Sequence, residues 1–310
     1  MYASINNTRI YFDVDGPQLR VTDGCLTSVP TIVALHGGPG FDQGYLRPGL
    51  GPLRDLAQVV HVDLRGQGRS AHAALDSCTL EQMADDAAAL CDVLGVERPV
   101  LLGHSAGGFV ALHAALRHPG SPGGLILCST AATLAPEPDP GSPSLAERAG
   151  PEAVQAAQRI FSGDVSAEAG EAFGRLVAPY YAAPGLQDLP GQLLALSRPA
   201  LDVMQHFYTG DAAKYDVRER LSEITVPTLV IAGAYDWVCP PAAARTIAAG
   251  IPNAEYLLVA DAGHFVFSEQ PERFTSAVAA FLTGNPGRNP VAEEGFTPLD
   301  AEGLLAGRQG

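Results

Sequence analysis

The sequence lacks long apolar runs. No stretch of it approaches the roughly 20 consecutive apolar residues that a membrane-spanning helix needs. The segment from Met1 to Gly16 also lacks the basic start and the apolar core of a secretory signal peptide. We therefore expect a soluble, cytoplasmic protein with no membrane partner.

Cysteine is scarce as well. The 310 residues include five cysteines, an odd number, and none of them forms a Cys-x-x-Cys pair. This pattern argues against a disulfide framework and against a zinc site. The sequence therefore predicts no bound metal and is typical of a reducing compartment.

Basic residues are outnumbered. The chain has 19 Lys and Arg against 34 Asp and Glu, a formal net charge of −15, and no basic cluster stands out. Binding to the phosphate backbone of a nucleic acid depends on such clusters. Nucleic acid is therefore not an expected partner, and a small molecule or short peptide is. The oligomeric state stays open.

Short apolar runs of strand length recur along the chain and alternate with helical patterns. Several are continuous, which is typical of strands covered on both faces of a parallel sheet, so an α/β fold is predicted. The predicted strands are Tyr2 to Asn6, Thr8 to Asp15, Thr31 to Leu35, Gln58 to Val62, Pro99 to Leu102, Gly124 to Cys128, Thr228 to Ala232 and Glu255 to Val259; the predicted helices are Thr79 to Leu94, Phe109 to His118, Pro240 to Ala249 and Glu269 to Leu282.

One long segment breaks this alternation. Residues 131–222 are dense in Ala, Pro and Gly, and their helical pieces are short, which predicts an inserted helical cap, or lid, over the functional edge of the sheet. The remaining parts, residues 1–130 and 223–283, would form the core domain. Residues 284–310 have no sustained apolar period and are expected to form a loose tail.

A catalytic motif lies between the fifth predicted strand and its helix. Gly103-His104-Ser105-Ala106-Gly107 has the Gly-x-Ser-x-Gly pattern of a nucleophile elbow, a sharp turn that exposes a serine hydroxyl. Ser105 would also lie at a helix N-terminus, which favours a developing negative charge. The alternative interpretation is an ordinary serine N-cap.

A glycine-rich loop follows the strand Thr31 to Leu35. His36-Gly37-Gly38-Pro39-Gly40 lacks the Gly-Lys-Ser/Thr ending and the Gly-x-Gly-x-x-Gly spacing of phosphate-binding loops. It is instead typical of an oxyanion-hole loop, in which a glycine N–H and the N–H after the nucleophile stabilise the reacting oxygen. We expect Gly38 and Ala106 to supply those two donors.

Candidate partners for Ser105 follow later strands. Of eight histidines, His264 is the one that follows the last predicted strand. In α/β folds that carry a nucleophile elbow, the catalytic base comes last in the chain, after the serine and the carboxylate. Asp236 follows the preceding strand and is expected to orient the imidazole. Asp261 is the alternative carboxylate, because it is nearer to His264 in sequence.

These motifs resemble those of the α/β-hydrolase superfamily, and within it the proline iminopeptidase group. The similarity lies in His36 to Gly40, in Asp63 with Arg65-Gly66 and Gly68-Arg69-Ser70, and in Gly233 to Asp236, and it spans roughly residues 8–283 outside the lid. It implies an eight-stranded, mostly parallel sheet flanked by helices, with a helical cap. It also implies an acyl-enzyme mechanism that needs no metal or other cofactor.

The resemblance favours an iminopeptidase-like aminopeptidase, with a small-molecule esterase or lactonase as the alternative. A ligand-binding protein on a hydrolase fold is a further alternative from another class. Iminopeptidases of this group use cap carboxylates to bind the substrate's free amine. The candidates for that role here are Glu147, Glu152, Glu171 and Asp202.

Overall fold

The computed structural model describes residues 1–22, 24–135 and 139–284. The tail predicted for residues 284–310 therefore lies, apart from Gly284, outside the described residues. The strands are β1 (Tyr2–Ile5), β2 (Thr8–Asp15), β3 (Leu19–Thr22), β4 (Cys25–Ser28), β5 (Thr31–Leu35), β6 (Gln58–Val62), β7 (Val100–His104), β8 (Gly124–Cys128), β9 (Thr228–Gly233) and β10 (Ala254–Val259). The helices are α1 (Arg47–Leu50), α2 (Leu80–Leu94), α3 (Ala106–Arg117), α4 (Leu145–Ala149), α5 (Pro151–Phe161), α6 (Ala167–Leu176), α7 (Leu189–Leu194), α8 (Leu201–Thr209), α9 (Pro241–Gly250), α10 (Val266–Glu269) and α11 (Pro271–Leu282).

Eight strands form one sheet in the order β1-β2-β6-β5-β7-β8-β9-β10. β1 and β2 form the predicted antiparallel hairpin, and β2 also pairs antiparallel with β6. The remaining pairs of this sheet are parallel. The predicted α/β fold with a mostly parallel eight-stranded sheet is confirmed.

The central strands are apolar throughout because both faces of the sheet are covered. Along β5, Val33 and Leu35 belong to the apolar cluster that includes residues of α2 and α3, whereas Ile32 and Ala34 belong to the cluster that includes α11. Successive side chains of a strand point to opposite faces, so one continuous apolar run supplies both layers. The carboxyl ends of these strands then meet at one edge, where the loops of the candidate site lie.

The main differences from the prediction lie at the starts of two helices and in one hairpin. The helix predicted for Phe109 to His118 is α3, which begins three residues earlier, at Ala106 directly after Ser105. The helix predicted for Glu269 to Leu282 is α11, which begins two residues later, at Pro271, and Glu269 instead ends the short helix α10. Pro271 lacks the N–H that would continue α10 and is favourable at the start of a new helix. The hairpin of β3 and β4 was not predicted from the sequence. β4 is exposed at all four residues and has no buried face that would give an apolar pattern.

Helices α4 to α8 lie between β8 and β9. The N–H of Val217 donates to the carbonyl of Ala132 at 2.8 Å, and Thr133 forms an isolated bridge with Asp216. The two ends of the segment between β8 and β9 therefore lie next to each other. None of the helices described is long and apolar enough to cross a membrane.

Candidate active site

Ser105 lies at the turn between β7 and α3. Its backbone has φ 53° and ψ −124°, a conformation that non-glycine residues adopt only when their surroundings impose it. A Cβ at Gly103 would lie 2.5 Å from the carbonyl oxygen of Gly107, and a Cβ at Gly107 would overlap the carbonyl of Leu35. Gly103 and Gly107 thus allow α3 to pack closely against β7 and the end of β5. The turn between β7 and α3 places Ser105 at the carboxyl end of β7.

The structure brings His264 and Asp236 together. His264 Nδ1 is 2.8 Å from Asp236 Oδ2, and both side chains are buried. The other oxygen of Asp236 accepts the N–H groups of Val238 at 2.9 Å and Cys239 at 3.0 Å. With the Nδ1 proton directed at the carboxylate, Nε2 of the neutral ring is left as a proton acceptor. Asp261, the alternative carboxylate, is exposed.

Gly38 lines the same cavity as Ser105, and Ala106 directly follows Ser105 in the chain. Gly38 has φ 123°, and a Cβ there would lie 2.9 Å from the amide nitrogen of Gly40, so this loop conformation requires glycine. The Gly40 N–H donates to Gln67 Oε1 at 2.6 Å, which fixes the end of the loop. Ala106 is the first residue of α3, so its N–H precedes the first intrahelical hydrogen bond.

A buried chain of hydrogen bonds joins the glycine loop to the histidine loop. The N–H of Gly37 donates to Tyr45 Oη at 2.6 Å, Tyr45 Oη is 2.7 Å from His104 Nδ1, and His104 Nε2 is 2.9 Å from the carbonyl of His264. Because a carbonyl only accepts, His104 carries its proton on Nε2 and Tyr45 donates to Nδ1. Burial lowers the pKa of His104 well below its ordinary value, which keeps the ring neutral.

Glu269 holds the backbone on both sides of His264. Its carboxylate accepts the N–H of Gly263 at 2.9 Å, the N–H of Phe265 at 2.9 Å and the N–H of Ala183 at 2.7 Å. Burial raises the pKa of Glu269, and the three N–H donors oppose that rise. One side chain therefore fixes the histidine loop to α10 and to the segment between β8 and β9.

That segment makes further contacts with the candidate site. The carbonyl of Tyr181 accepts the N–H of His264 at 2.7 Å. The guanidinium of Arg148 on α4 donates to the carbonyls of Tyr180 at 2.7 Å, Ala182 at 2.6 Å and Tyr235 at 2.8 Å. Tyr235 precedes Asp236, so Arg148 links the inserted helices to the loop of the candidate orienting carboxylate.

The charged side chains of the loop after β6 bind partners in α2, in the glycine-rich loop region and within the loop itself. Arg65 makes a bidentate ion pair with Asp86 of α2, with both N···O distances at 2.7 Å. Asp63 accepts the backbone N–H groups of Gln43 at 3.1 Å and Arg69 at 2.7 Å. The loop thus has a structural role, and Asp63 fixes the start of the turn that carries Tyr45.

Ser105, His264 and Gly38 lie on the wall of a cavity of about 680 Å³. Its other walls come largely from apolar residues of the inserted helices. None of the candidate amine-binding carboxylates, Glu147, Glu152, Glu171 and Asp202, lines it, and Glu147 instead caps α4 by accepting from Ser144. Among the described residues, no group of three or more His, Cys, Asp or Glu side chains could hold a metal ion.

A family model described as "alpha/beta hydrolase fold" matches residues 30–271, and the chain belongs to this family. One relative, "Putative carbamate hydrolase RutD" of Caulobacter vibrioides, is 30% identical over 284 residues, which are 87% of this chain and 97% of the relative. "Proline iminopeptidase PfmaB" of Pestalotiopsis fici is 26% identical over 298 residues, 91% of this chain and 98% of the relative. The predicted resemblance to iminopeptidases is thereby confirmed, and the chain is also similar to a protein named as a carbamate hydrolase.

The solved structures add a further name. The enol-lactonase from Burkholderia xenovorans LB400 has a TM-score of 0.70 and 27% identity, with 91% of this chain and 100% of that chain covered. The protein is an α/β hydrolase whose relatives are named for carbamate, peptide and lactone substrates. The family therefore establishes the class of the protein. Because its relatives are named for different substrates, the substrate of this chain has to be inferred from the residues that line its own cavity.

Four residues around the candidate site were not predicted from the sequence: Tyr45, Arg148, Tyr181 and Glu269. Tyr181 and Arg148 belong to the inserted segment, whose weak pattern gives no position for any side chain. Glu269 carries only a short-range signal: it is the first acidic residue after His264, five positions further along the chain, and it follows the apolar run Phe265 to Phe267 after a single serine. A carboxylate in such a place needs buried donors.

Proposed function

We propose that the protein is a serine hydrolase that cleaves esters, including lactones, through an acyl-enzyme. Ser105 Oγ attacks the substrate carbonyl carbon while its proton passes to Nε2 of His264, and Asp236 stabilises the imidazolium. The N–H groups of Gly38 and Ala106 stabilise the oxyanion. The carbon–oxygen bond to the leaving group then breaks as His264 protonates that oxygen. Water, deprotonated in turn by His264, releases the acid.

The observation that carries this proposal is the 2.8 Å contact between His264 and Asp236 beside a cavity that Ser105 also lines. A serine N-cap alone would require neither this pair nor the positive φ of Ser105. The same arrangement disfavours a non-catalytic binding protein, because no member of the proposed triad is missing. We further propose that residues 131–222 form a lid over a core of residues 1–130 and 223–283, since Tyr181 and Arg148 contact the loops of both His264 and Asp236.

Iminopeptidase activity is the second candidate, favoured by the motifs and by the relative of that name. It requires a carboxylate that binds the free amine of the substrate. The four cap carboxylates considered for this role are exposed and lie outside the cavity lining, which favours esters over aminoacyl substrates.

The test is a side-by-side kinetic assay on p-nitrophenyl acetate and butyrate, proline p-nitroanilide and alanine p-nitroanilide, with Ser105→Ala as the blank. We expect turnover of the esters that Ser105→Ala lacks, and little turnover of either anilide. A clear kcat/KM advantage for the proline anilide would make the enzyme an exopeptidase. Equal rates for wild type and Ser105→Ala on every substrate would refute the serine mechanism.

A further inference from the structure

The cavity beside Ser105 has no charged wall. Among the described residues that line it there is no Lys, Arg, Asp or Glu. The walls supplied by α5, α6 and α8 are instead aromatic and aliphatic; they include Ile160, Phe161, Phe173, Met204, Phe207 and Tyr208. A substrate group that enters this space meets hydrocarbon and ring surfaces.

The tyrosine and cysteine side chains of the lining are neutral as well. Burial raises the pKa of Tyr181, Tyr208 and Cys239, so none of them is anionic near neutral pH. The carboxylate of Asp236 is already engaged by His264 and by two backbone N–H groups. A buried ammonium or carboxylate of the substrate would therefore be left without an ionic partner, which is strongly unfavourable.

The cavity is also larger than a small acyl group requires. Its volume of about 680 Å³ falls within the range of sites that enclose a drug-sized ligand. An acetyl group would leave most of the apolar wall without contacts. Each added methylene that reaches this wall should raise kcat/KM about fourfold, from its transfer out of water.

We propose that the cavity selects substrates with a neutral, apolar acyl group longer than butyryl, and rejects acyl groups that carry an ammonium or a carboxylate. This inference rests on the proposed serine hydrolase function and adds to it the chemical class of the acyl group. The inserted helices α5, α6 and α8 are the specificity-determining elements, because they supply the wall that a short acyl group does not reach.

The test compares p-nitrophenyl esters in isosteric pairs. The pairs are 6-trimethylammoniohexanoate with 7,7-dimethyloctanoate, which differ by one nitrogen for one carbon, and adipate monoester with 6-methylheptanoate, which differ by two carboxylate oxygens for two methyl groups. A series of acetate, butyrate, hexanoate and octanoate reports the length dependence. We expect kcat/KM for hexanoate to exceed that for acetate by at least about tenfold, and each charged ester to fall at least about a hundredfold below its neutral partner.

Several results would overturn the inference. One is acetate turned over as well as hexanoate, and another is either charged ester turned over within a few-fold of its neutral partner. Preference for the trimethylammonio ester would show that the aromatic walls bind cations through their ring faces, which also contradicts the proposal. Failure of the underlying function gives a different pattern: no ester is turned over, and a fluorophosphonate probe labels wild type no faster than Ser105→Ala.

A matched pair of variants tests the location. Leu201 lines the cavity, is 46% exposed and is the first residue of α8, where an acidic side chain is favourable for the helix. We expect Leu201→Asp to raise the ratio of kcat/KM for the trimethylammonio ester to that for 7,7-dimethyloctanoate several-fold over Leu201→Asn. The same ratio in both variants would show that the acyl group does not occupy this cavity.

Discussion

Replacing Glu269 with Gln tests how the histidine loop is held. The amide has one acceptor oxygen, which can keep the two N–H bonds made by Oε2, from Gly263 and Ala183. Its NH2 group then faces the N–H of Phe265, which loses its acceptor inside the protein. Leaving the N–H of Phe265 buried and unpaired lowers the free energy of unfolding by about 1–3 kcal/mol. The two retained hydrogen bonds each weaken by roughly 1 kcal/mol, because their acceptor no longer carries a charge.

The easier burial of a neutral amide offsets part of this loss, so we expect the free energy of unfolding to fall by about 2–4 kcal/mol. The unbonded N–H belongs to the residue after His264, so we also expect kcat on p-nitrophenyl butyrate to fall about 10- to 100-fold with a smaller change in KM. Urea unfolding and steady-state kinetics, both at 20–25 °C, measure the two effects. The control is Glu272→Gln, an exposed position in the first turn of α11. Loss of less than about 0.5 kcal/mol with unchanged kcat would refute the reasoning, since that is the range of surface substitutions.

The remaining predictions address the triad, pH and backbone packing. Asp236→Asn should lower kcat by about 10⁴-fold, because the imidazole loses the partner that fixes its tautomer; a loss below tenfold would remove Asp236 from the triad. Burial lowers the pKa of His61 to about 4. Because the unfolded chain takes up a proton on this histidine at a pKa of about 6.5, the free energy of unfolding falls as the pH is lowered from about 6.5 towards 4. The free energy of unfolding at pH 5 should be about 2 kcal/mol lower than at pH 7.5 because of His61. Urea titrations should show this difference in wild type and not in His61→Gln. The same dependence of the free energy of unfolding on pH in both proteins would contradict the lowered pKa of His61. Gly107→Ala should destabilise by at least about 3 kcal/mol, since its Cβ would overlap backbone of β5, whereas Gly191→Ala in α7, with open space around the Cβ, should stabilise by up to about 1 kcal/mol. Equal melting temperatures for these two variants would show that the turn between β7 and α3 can accommodate a Cβ at position 107, and would contradict this prediction.

Much of the sheet and the candidate triad could be predicted because their signals are local. A strand buried on both faces, such as β5 or β8, must be a continuous apolar run. Parallel strands bring their carboxyl ends to one edge, so residues just after three of them, Ser105, Asp236 and His264, were expected to converge there. The geometry of His264 and Asp236 follows that expectation, and the catalytic roles stay proposals.

The supporting residues could not be predicted because their partners are distant in sequence. The hydroxyl of Tyr45 reaches His104 across 59 positions, and Glu269 accepts from Ala183 across 86. Neither contact has a periodicity or a spacing of its own. The same holds for the cavity: which of the helical residues face it depends on how short helices pack, and the pattern of Ala, Pro and Gly does not encode that packing.

The most direct test of the central claim is the site of covalent capture. A fluorophosphonate probe is added to wild type, to Ser105→Ala and to His264→Ala, and intact-mass and peptide analysis locate the adduct. The proposed mechanism predicts one adduct per chain on Ser105, none on Ser105→Ala, and labelling of His264→Ala slowed by at least about a hundredfold, because proton abstraction by the base activates the serine. Labelling of wild type no faster than Ser105→Ala, or an adduct on another residue, would contradict it.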